Sequence, residues 1–254
     1  MTQPLFPRPI AHRGLHDRAA GVIENTRTAF DAAIEGNFAI ECDLQLTSDG
    51  IPIVFHDRKL TRLTGAEGVV YERTAAEMQR LTLLDSAAAD TPQTFKEFLA
   101  QVDGRTQLQI ELKPQIDDAS RQQLAKAAAD ALKTYQGPAT VESFDPRLIS
   151  LVRDAGFSGP RGIILHNFEL EANHGDRSPE ERYILTHLLH WLETRFDFIS
   201  CDHEALDLPA IAFWRALGKP VTAWTLKSMV EFKAVPPHFD QIVFEGFNPD
   251  SASA

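Results

Sequence analysis

Short runs of apolar and β-branched residues recur along the chain, separated by stretches in which apolar residues return every three or four positions. Runs of the first kind are typical of strands buried on both faces, and stretches of the second kind predict amphipathic helices. The predicted strands are Pro9–His12, Phe38–Leu46, Ile51–His56, Leu108–Leu112, Ala139–Phe144, Gly162–Leu165, Phe196–Cys201, Val221–Trp224 and Gln241–Phe244. The predicted helices are Asn25–Glu35, Thr91–Val102, Asp118–Tyr135, Pro146–Ala155, Ser178–Thr194, Leu208–Leu217 and Ser228–Lys233.

The alternation of strands and helices predicts a parallel sheet in an α/β fold. Nine strands are one too many for a TIM (β/α)8 barrel, but the four residues 47–50 are too few for a helical crossover. We therefore expect Ile51–His56 to form a hairpin arm, antiparallel to the end of the second barrel strand. Eight parallel strands remain, and a chain of 254 residues suits one such barrel domain over residues 1–254.

Residues 57–90 follow neither the helical nor the strand period, apart from a short helical piece around Ala75–Leu83. The segment is too long for an ordinary connection between a strand and a helix, and long structured loops are often functional. We expect it to form a small insertion that caps the mouth of the barrel.

Composition narrows the classes of function. The net charge of -11, from 25 basic and 36 acidic residues, disfavours nucleic acid as a partner. Two cysteines cannot build a disulfide framework or a CxxC zinc site. The sequence has no apolar run long enough to span a membrane and no apolar signal-peptide core, so it predicts a cytoplasmic protein. It gives no oligomeric state, and it lacks phosphate-loop, GxGxxG and GxSxG motifs.

Acidic residues mark the ends of two predicted strands. Glu41 and Asp43 are two apart in a strand, so their side chains point to the same face, and Glu111 ends another strand. Buried carboxylates repel one another and need compensation, which a divalent cation supplies. Oxygen ligands favour Mg²⁺ or Ca²⁺ over zinc. The alternative is that these side chains are solvated at the open end of the barrel.

His12 and His56 also lie at strand ends. A single histidine in such a place is usually structural, but two beside a carboxylate cluster are better interpreted as a general acid and base. Either of them could also bind the metal. The sequence does not decide which histidine is the acid and which is the base.

Four further residues are candidates for substrate binding. Arg13 and Lys113 could bind an anionic substrate oxygen, or they could form exposed salt bridges. Glu24 precedes a predicted helix, so it could instead cap that helix or support the helix dipole. Trp224 ends a strand, where it could pack in the core or line a pocket.

The order and spacing of these motifs resemble the glycerophosphodiester phosphodiesterase family, in the phospholipase-C-like phosphodiesterase superfamily. The matching motifs are His12-Arg13-Gly14, Glu24-Asn25-Thr26, Glu41-x-Asp43, Thr47-x-Asp49-Gly50, His56-Asp57, Glu111-Leu112-Lys113, Ser143-Phe144-Asp145 and Trp224-Thr225. The chain departs from the family pattern at Ile23, at Lys227 and at the end of the last strand, where it reads Val-Phe-Glu-Gly-Phe. These departures lie at the expected rim of the pocket, so they bear on which head group the substrate carries.

The resemblance implies a TIM barrel and a metal-dependent hydrolase that converts glycerophosphodiesters to glycerol 3-phosphate and an alcohol. It implies metal ligation by Glu41, Asp43 and Glu111, and acid/base catalysis by His12 and His56. It places Arg13 and Lys113 near the phosphate and Glu24 in the site. The alternatives are a lysophospholipase D-like enzyme that acts on lipids, and a barrel that binds ligands without catalysis.

Overall fold

The computed structural model describes residues 4–170 and 177–253. Its strands are β1 (Ile10–Ala11), β2 (Ala39–Leu46), β3 (Pro52–Val54), β4 (Leu108–Leu112), β5 (Ala139–Ser143), β6 (Arg161–Leu165), β7 (Phe198–Asp202), β8 (Val221–Leu226) and β9 (Gln241–Phe244). Its α-helices are α1 (Arg27–Glu35), α2 (Thr61–Thr64), α3 (Ala75–Met78), α4 (Phe95–Val102), α5 (Asp118–Leu132), α6 (Pro146–Asp154), α7 (Pro179–Thr186), α8 (Trp191–Thr194), α9 (Pro209–Ala216) and α10 (Met229–Ala234). Short 3-10 helices span Arg18–Ala20, Val70–Glu72, His203–Ala205 and Pro249–Ser253.

Eight of the strands in these described ranges form a closed parallel barrel. Their order is β1-β9-β8-β7-β6-β5-β4-β2, and β2 pairs back to β1. The remaining strand, β3, runs antiparallel to the end of β2, with Val54 opposite Leu44 and Pro52 opposite Leu46. The TIM barrel and its hairpin arm, both predicted from the sequence, are therefore confirmed.

An apolar layer fills the lower part of the barrel interior. It consists of Phe6, Ile10, Ala39, Phe198 and Val243. Space for the Phe198 ring comes from Gly162 on the neighbouring strand, where an added Cβ would lie 2.3 Å from that ring. Because the bottom of the barrel is packed, the open part of the interior lies at the carboxyl ends of the strands.

The helices bury one face against the outside of the barrel. The Phe30 ring of α1 and the Phe98 ring of α4 are both fully buried, with their centroids 4.5 Å apart. Burial of such side chains contributes about 1.5–3 kcal/mol each. This outer packing fixes the strands and therefore the positions of the residues at their ends.

Two predicted helices differ most from those observed. The helix predicted from Thr91 begins at Phe95, because Thr94 and Glu97 form a capping box that starts it one turn later. The predicted helix Ser178–Thr194 is two helices, α7 and α8. They are separated at Leu188, whose φ of 55° interrupts the helical hydrogen bonds. Leu188 is buried, so the apolar pattern continues across the break and conceals it.

The insertion that follows β3 contains α2, the 3-10 helix Val70–Glu72 and α3, joined by irregular segments. Its apolar side chains form a small core with the hairpin arm. That core comprises Ile23, Ile53, Phe55, Leu60, Leu63, Val70, Met78 and Leu83. The insertion is thus packed onto the barrel through side chains that its own sequence supplies. Within the described ranges, no helix is both long and apolar enough to cross a bilayer.

Candidate active site

Three acidic side chains meet at the carboxyl ends of β2 and β4. The register of these strands places Glu111 beside Asp43, and Glu41 precedes Asp43 on the same face. Each offers an oxygen, and the three oxygens lie within 4.8 Å of one another. All three residues are buried, with only 1% of Asp43 exposed. The alternative that these carboxylates are simply solvated is therefore wrong.

Burial makes the negative charge of this cluster costly. Burial, and then repulsion by Asp43 and Glu111, raises the pKa of Glu41 well above its ordinary value. Burial also raises the pKa of Glu111 to about 7, although the Lys113 ammonium opposes the shift. For Asp43 burial acts in the same direction, but Lys113 and other cations outweigh it and lower its pKa. The cluster as it stands carries too little positive charge to ionise fully.

Two cations lie against the acidic cluster. Lys113 Nζ is 3.2 Å from Asp43 Oδ1 and 3.0 Å from Glu111 Oε1. Arg13 Nε lies 3.4 Å from Asp43 Oδ2, and Arg13 Nη1 donates to Glu24 Oε1 at 2.7 Å. Their side chains are only 16% (Arg13) and 13% (Lys113) exposed, so these are buried ion pairs rather than exposed salt bridges.

Each of the two predicted histidines is held by a carboxylate. His12 Nδ1 lies 2.7 Å from Glu245 Oε2, and His56 Nδ1 lies 2.7 Å from Asp57 Oδ1. The pKa values of Glu245 and Asp57 are lowered by hydrogen bonds that include these histidines, although burial opposes both shifts. An ionised carboxylate only accepts hydrogen bonds, so each Nδ1 carries the proton and each Nε2 is left to act in the pocket.

Burial lowers the pKa of both histidines below the ordinary 6.5. Hydrogen bonds to Glu245 and Asp57, and the charge of Asp43, oppose that shift. Near neutral pH the imidazoles are therefore mainly neutral, the form in which Nε2 accepts a proton. His12 Nε2 is 4.0 Å from Glu41 Oε2, so this atom faces the acidic cluster.

The turn after β1 places His12 and Arg13 in the site. Arg13 has a φ of 57°, and its backbone N–H donates to Glu41 Oε2 at 2.9 Å. Gly14 follows with a φ of 80°, and an added Cβ there would lie 2.9 Å from the backbone of Ala29. Positive φ at a non-glycine residue costs free energy and is concentrated at functional sites. The His-Arg-Gly motif is thus explained by a tight turn against α1.

Asn25 adopts the same unusual backbone conformation, with a φ of 57°. Its side-chain Nδ2 donates to Asp43 Oδ2 at 2.8 Å, which helps to orient that carboxylate. Thr26, not Glu24, caps α1 by accepting a hydrogen bond from Ala29 N. The helix-capping interpretation of Glu24 is therefore wrong.

Glu24 is instead joined to the insertion through Arg62 of α2. Arg62 Nη1 and Nη2 donate to the two Glu24 oxygens at 2.7 and 2.8 Å, and Arg62 Nε donates to Asp57 Oδ2 at 2.5 Å. Despite the opposing effect of burial, these contacts and Arg13 lower the pKa of Glu24 to about 2. A continuous ion-pair network thus connects Arg13 to the carboxylate that holds His56.

A pocket of about 190 Å³ opens above these residues. The residues that line it include the predicted His12, Arg13, Glu41, His56, Glu111, Lys113 and Trp224, but not Glu24 or Asp43. Trp224 Nε1 donates to Ser200 O at 2.9 Å, and its ring lies edge-on to Phe144 with centroids 5.7 Å apart. Of the two interpretations of Trp224, the structure agrees with the pocket wall.

Three residues of the site escaped the sequence-based prediction: Glu245 beside His12, Arg62 between Glu24 and Asp57, and Glu142 in the pocket wall. One signal was available for Glu245. It follows the last barrel strand, which must return beside the first if the barrel closes, and His12 ends the first strand. Arg62 carried no such signal, because the sequence of residues 57–90 around it follows neither the helical nor the strand period.

Residues 12–236 match the model of the glycerophosphoryl diester phosphodiesterase family. The chain belongs to this family. The matched range contains the three clustered acids and both histidines of the candidate active site. It ends before Glu245, so the carboxylate that holds His12 lies outside it.

Curated relatives match only part of the chain. A glycerophosphodiester phosphodiesterase of Caldanaerobacter subterraneus is 45% identical over 73 residues, which are 28% of this chain and 29% of the relative. A glycerophosphodiester phosphodiesterase of Bacillus altitudinis is 37% identical over 113 residues, 42% of this chain and 45% of the relative. The chain thus covers less than half the length of these relatives.

Solved structures resemble nearly the whole chain. An Oleispira antarctica phosphodiesterase in complex with the product sn-glycerol-3-phosphate has a TM-score of 0.77 at 21% identity, covering 94% of this chain and 93% of its own. A Thermotoga maritima glycerophosphodiester phosphodiesterase has a TM-score of 0.69 at 24% identity, covering 92% of each chain. At such identities these likenesses show the fold.

Proposed function

We propose that the protein hydrolyses glycerophosphodiesters to glycerol 3-phosphate and an alcohol. The observation that carries the proposal is the pair of carboxylate-held histidines in one pocket with a buried acidic cluster. Membership of the phosphodiesterase family supports it. So does the related Oleispira antarctica fold, which was solved with sn-glycerol-3-phosphate as its product.

We further propose that Glu41, Asp43 and Glu111 bind a divalent cation, Mg²⁺ or Ca²⁺. Three oxygen ligands within 4.8 Å of one another suit a hard cation. The raised pKa values of Glu41 and Glu111 indicate buried acids that lack compensating charge, so a bound cation would replace protons there. Such an ion supplies Lewis-acid stabilisation of charge on a phosphate oxygen.

The remaining chemistry belongs to the side chains of the chain itself. Arg13 and Lys113 orient the phosphate from the side of the acidic cluster. One histidine accepts a proton through Nε2 from the attacking hydroxyl, which belongs to water or to the substrate's own glycerol. Attack by the glycerol hydroxyl gives a cyclic phosphate, which water opens to glycerol 3-phosphate in a second step. The other histidine acts in its imidazolium form, with a proton on Nε2 as well as on Nδ1, and gives the Nε2 proton to the leaving alkoxide. Because both imidazoles are held through Nδ1, their Nε2 atoms stay in place during this exchange.

The substrates we expect are small and water-soluble, such as glycerophosphocholine and glycerophosphoethanolamine. A lysophospholipase D-like enzyme needs an apolar surface for the acyl chain. In this insertion Leu60, Leu63 and Val70 are buried in its own core, so they do not offer that surface. We expect a higher kcat/KM for glycerophosphocholine than for a lysophospholipid kept below its micellar concentration. The opposite order would favour the lipid enzyme.

The experiment for the metal compares turnover of glycerophosphocholine before and after chelation, then with Mg²⁺ or Ca²⁺ restored. Glu41→Gln and Asp43→Asn should abolish the metal-dependent turnover while the fold survives. Glu67→Gln, at an exposed acid of the insertion, is the control and should behave as wild type. Calorimetric titration then measures metal affinity directly. Equal affinity in all variants would remove these residues from the site, and a binding protein would show affinity without turnover.

A further inference from the structure

Glu142 is a fourth acid in the barrel interior, and the chemistry proposed above does not use it. It lies on β5, where the strand register places it beside Glu111. Only 3% of it is exposed, yet it lines the pocket that contains the histidines. Lys113, the nearby cation, pairs with Asp43 and Glu111 instead. Within the described ranges of the chain, no basic side chain forms an ion pair with Glu142.

The carboxyl group of Glu142 has hydrogen-bonding capacity that its neighbours do not use. Gln109 Nε2 donates to Glu142 Oε2 at 2.8 Å, and the side chain of Ser200 also forms a hydrogen bond with the carboxyl group. A carboxylate has about four acceptor positions, so these two contacts leave some of them open. Glu142 therefore suits a partner that donates a hydrogen bond, such as an alcohol hydroxyl.

The pocket wall around Glu142 has little else to offer a hydroxyl. Its neighbours there include Phe144, Ile164 and Trp224, which are mainly apolar. Away from the histidines and the acidic cluster, the polar side chains among the described lining residues are those of Glu142, Ser200 and Thr225. Arg13 and Lys113, which we propose orient the phosphate, line the same pocket as Glu142. The glycerol moiety attached to that phosphate would therefore lie within reach of this wall.

We propose that Glu142 binds a hydroxyl group of the glycerol moiety and thereby selects glycerol-containing phosphodiesters over simple alkyl phosphodiesters. The inference rests on the proposed function, because it takes the phosphate to lie against the acidic cluster and the histidines. It adds a specificity-determining residue on β5 that contacts neither the phosphorus nor the leaving group.

The test compares two ligands that differ only in the glycerol hydroxyls, sn-glycerol 3-phosphate and n-propyl phosphate. Their affinities are measured by calorimetry on the full chain in a buffer that contains Mg²⁺. We expect the wild type to bind sn-glycerol 3-phosphate more tightly. Glu142→Leu should weaken this binding roughly 10- to 100-fold, because a hydroxyl loses its partner in a buried site. It should change the affinity for n-propyl phosphate less than about threefold.

Two further variants keep the test decisive. Glu142→Gln retains a donor and an acceptor without a charge, and it should stay close to wild type for both ligands. Thr140→Val is the matched control, because Thr140 lies on the same strand and face but does not line the pocket. Thermal denaturation confirms that each variant is folded. The proposal is overturned if the wild type binds both ligands equally, if Glu142→Leu affects both equally or neither, or if Glu142→Gln is as weak as Glu142→Leu.

Failure of this inference is distinguishable from failure of the proposed function. Absence of glycerophosphocholine hydrolysis by the wild type with either Mg²⁺ or Ca²⁺ would reject the enzyme. The affinity ratio between the two phosphate ligands would still show whether Glu142 recognises glycerol. Conversely, normal turnover with an unchanged affinity ratio in Glu142→Leu would reject the role of Glu142 alone.

Discussion

Both histidines of the candidate site are held by a carboxylate at Nδ1, but the two carboxylates come from different parts of the chain. His56 is held by Asp57, its neighbour in the chain, whereas His12 is held by Glu245, 233 residues further on. The first pair needs only the local backbone conformation at the end of the hairpin arm. The second forms only when the last barrel strand closes against the first, so it depends on the whole fold.

The supports behind the two carboxylates also differ. Asp57 is bound by Arg62, which is bound in turn to Glu24. Glu245 is bound by Lys227, at 3.0 Å, whose side chain is 64% exposed. An exposed ion pair contributes little, whereas a network of bidentate contacts fixes geometry. The insertion thus fixes the orientation of His56, and barrel closure fixes that of His12.

Replacing either histidine should give the largest loss of turnover, and the loss should be similar for His12 and His56. His12→Ala and His56→Ala should each lower kcat roughly 10²- to 10⁴-fold, the usual contribution of acid/base catalysis. Both should largely keep their affinity for the metal in calorimetric titration. Wild-type turnover in either variant would make that histidine structural and would contradict the proposed mechanism.

Replacing the supporting carboxylates should separate the two sides. Asp57→Asn and Glu245→Gln remove the charge that holds each Nδ1 proton. We expect each to lower kcat roughly 10- to 100-fold, as the loss of the carboxylate behind a metal-binding histidine does. We expect the larger loss for Asp57→Asn, because it also leaves Arg62 without one of its two carboxylates. Steady-state kinetics with KM reported separately is the measurement. A larger loss for Glu245→Gln would reverse our ranking of the two supports.

The same contrast between local and distant partners explains what the sequence could predict. Glu41 and Asp43 could be predicted to lie together, because alternate residues of a strand point to the same face. The barrel itself could be predicted because short buried strands alternate with helices along the sequence. Glu245 is not adjacent to His12 in any local sense, and only the closure of the sheet brings them together.

The contacts of Arg62 and the start of α4 could not be predicted for a different reason. Arg62 reaches Glu24 and Asp57 because the insertion core positions α2, and that core has no simple period. The late start of α4 depended on which of two threonines found a capping partner, Thr91 or Thr94. In both places the outcome is decided by individual side-chain contacts rather than by a repeating pattern.

The smallest effect on turnover, but a clear one on stability, should come from Glu24, which has no counterpart beside His12. Its pKa of about 2 lies below the ordinary 4.5, so ionised Glu24 stabilises the folded state. The contribution is complete above pH 4.5 and is lost as the pH falls toward 2.

Glu24→Gln should therefore lower the free energy of unfolding at pH 7 by roughly 1–3 kcal/mol. Denaturant unfolding at a series of pH values should show its difference from wild type narrowing below pH 4.5. Glu67→Gln, at an exposed acid of the same insertion, should show no such dependence. A difference that is constant with pH would mean that Glu24 acts through packing rather than through its charge.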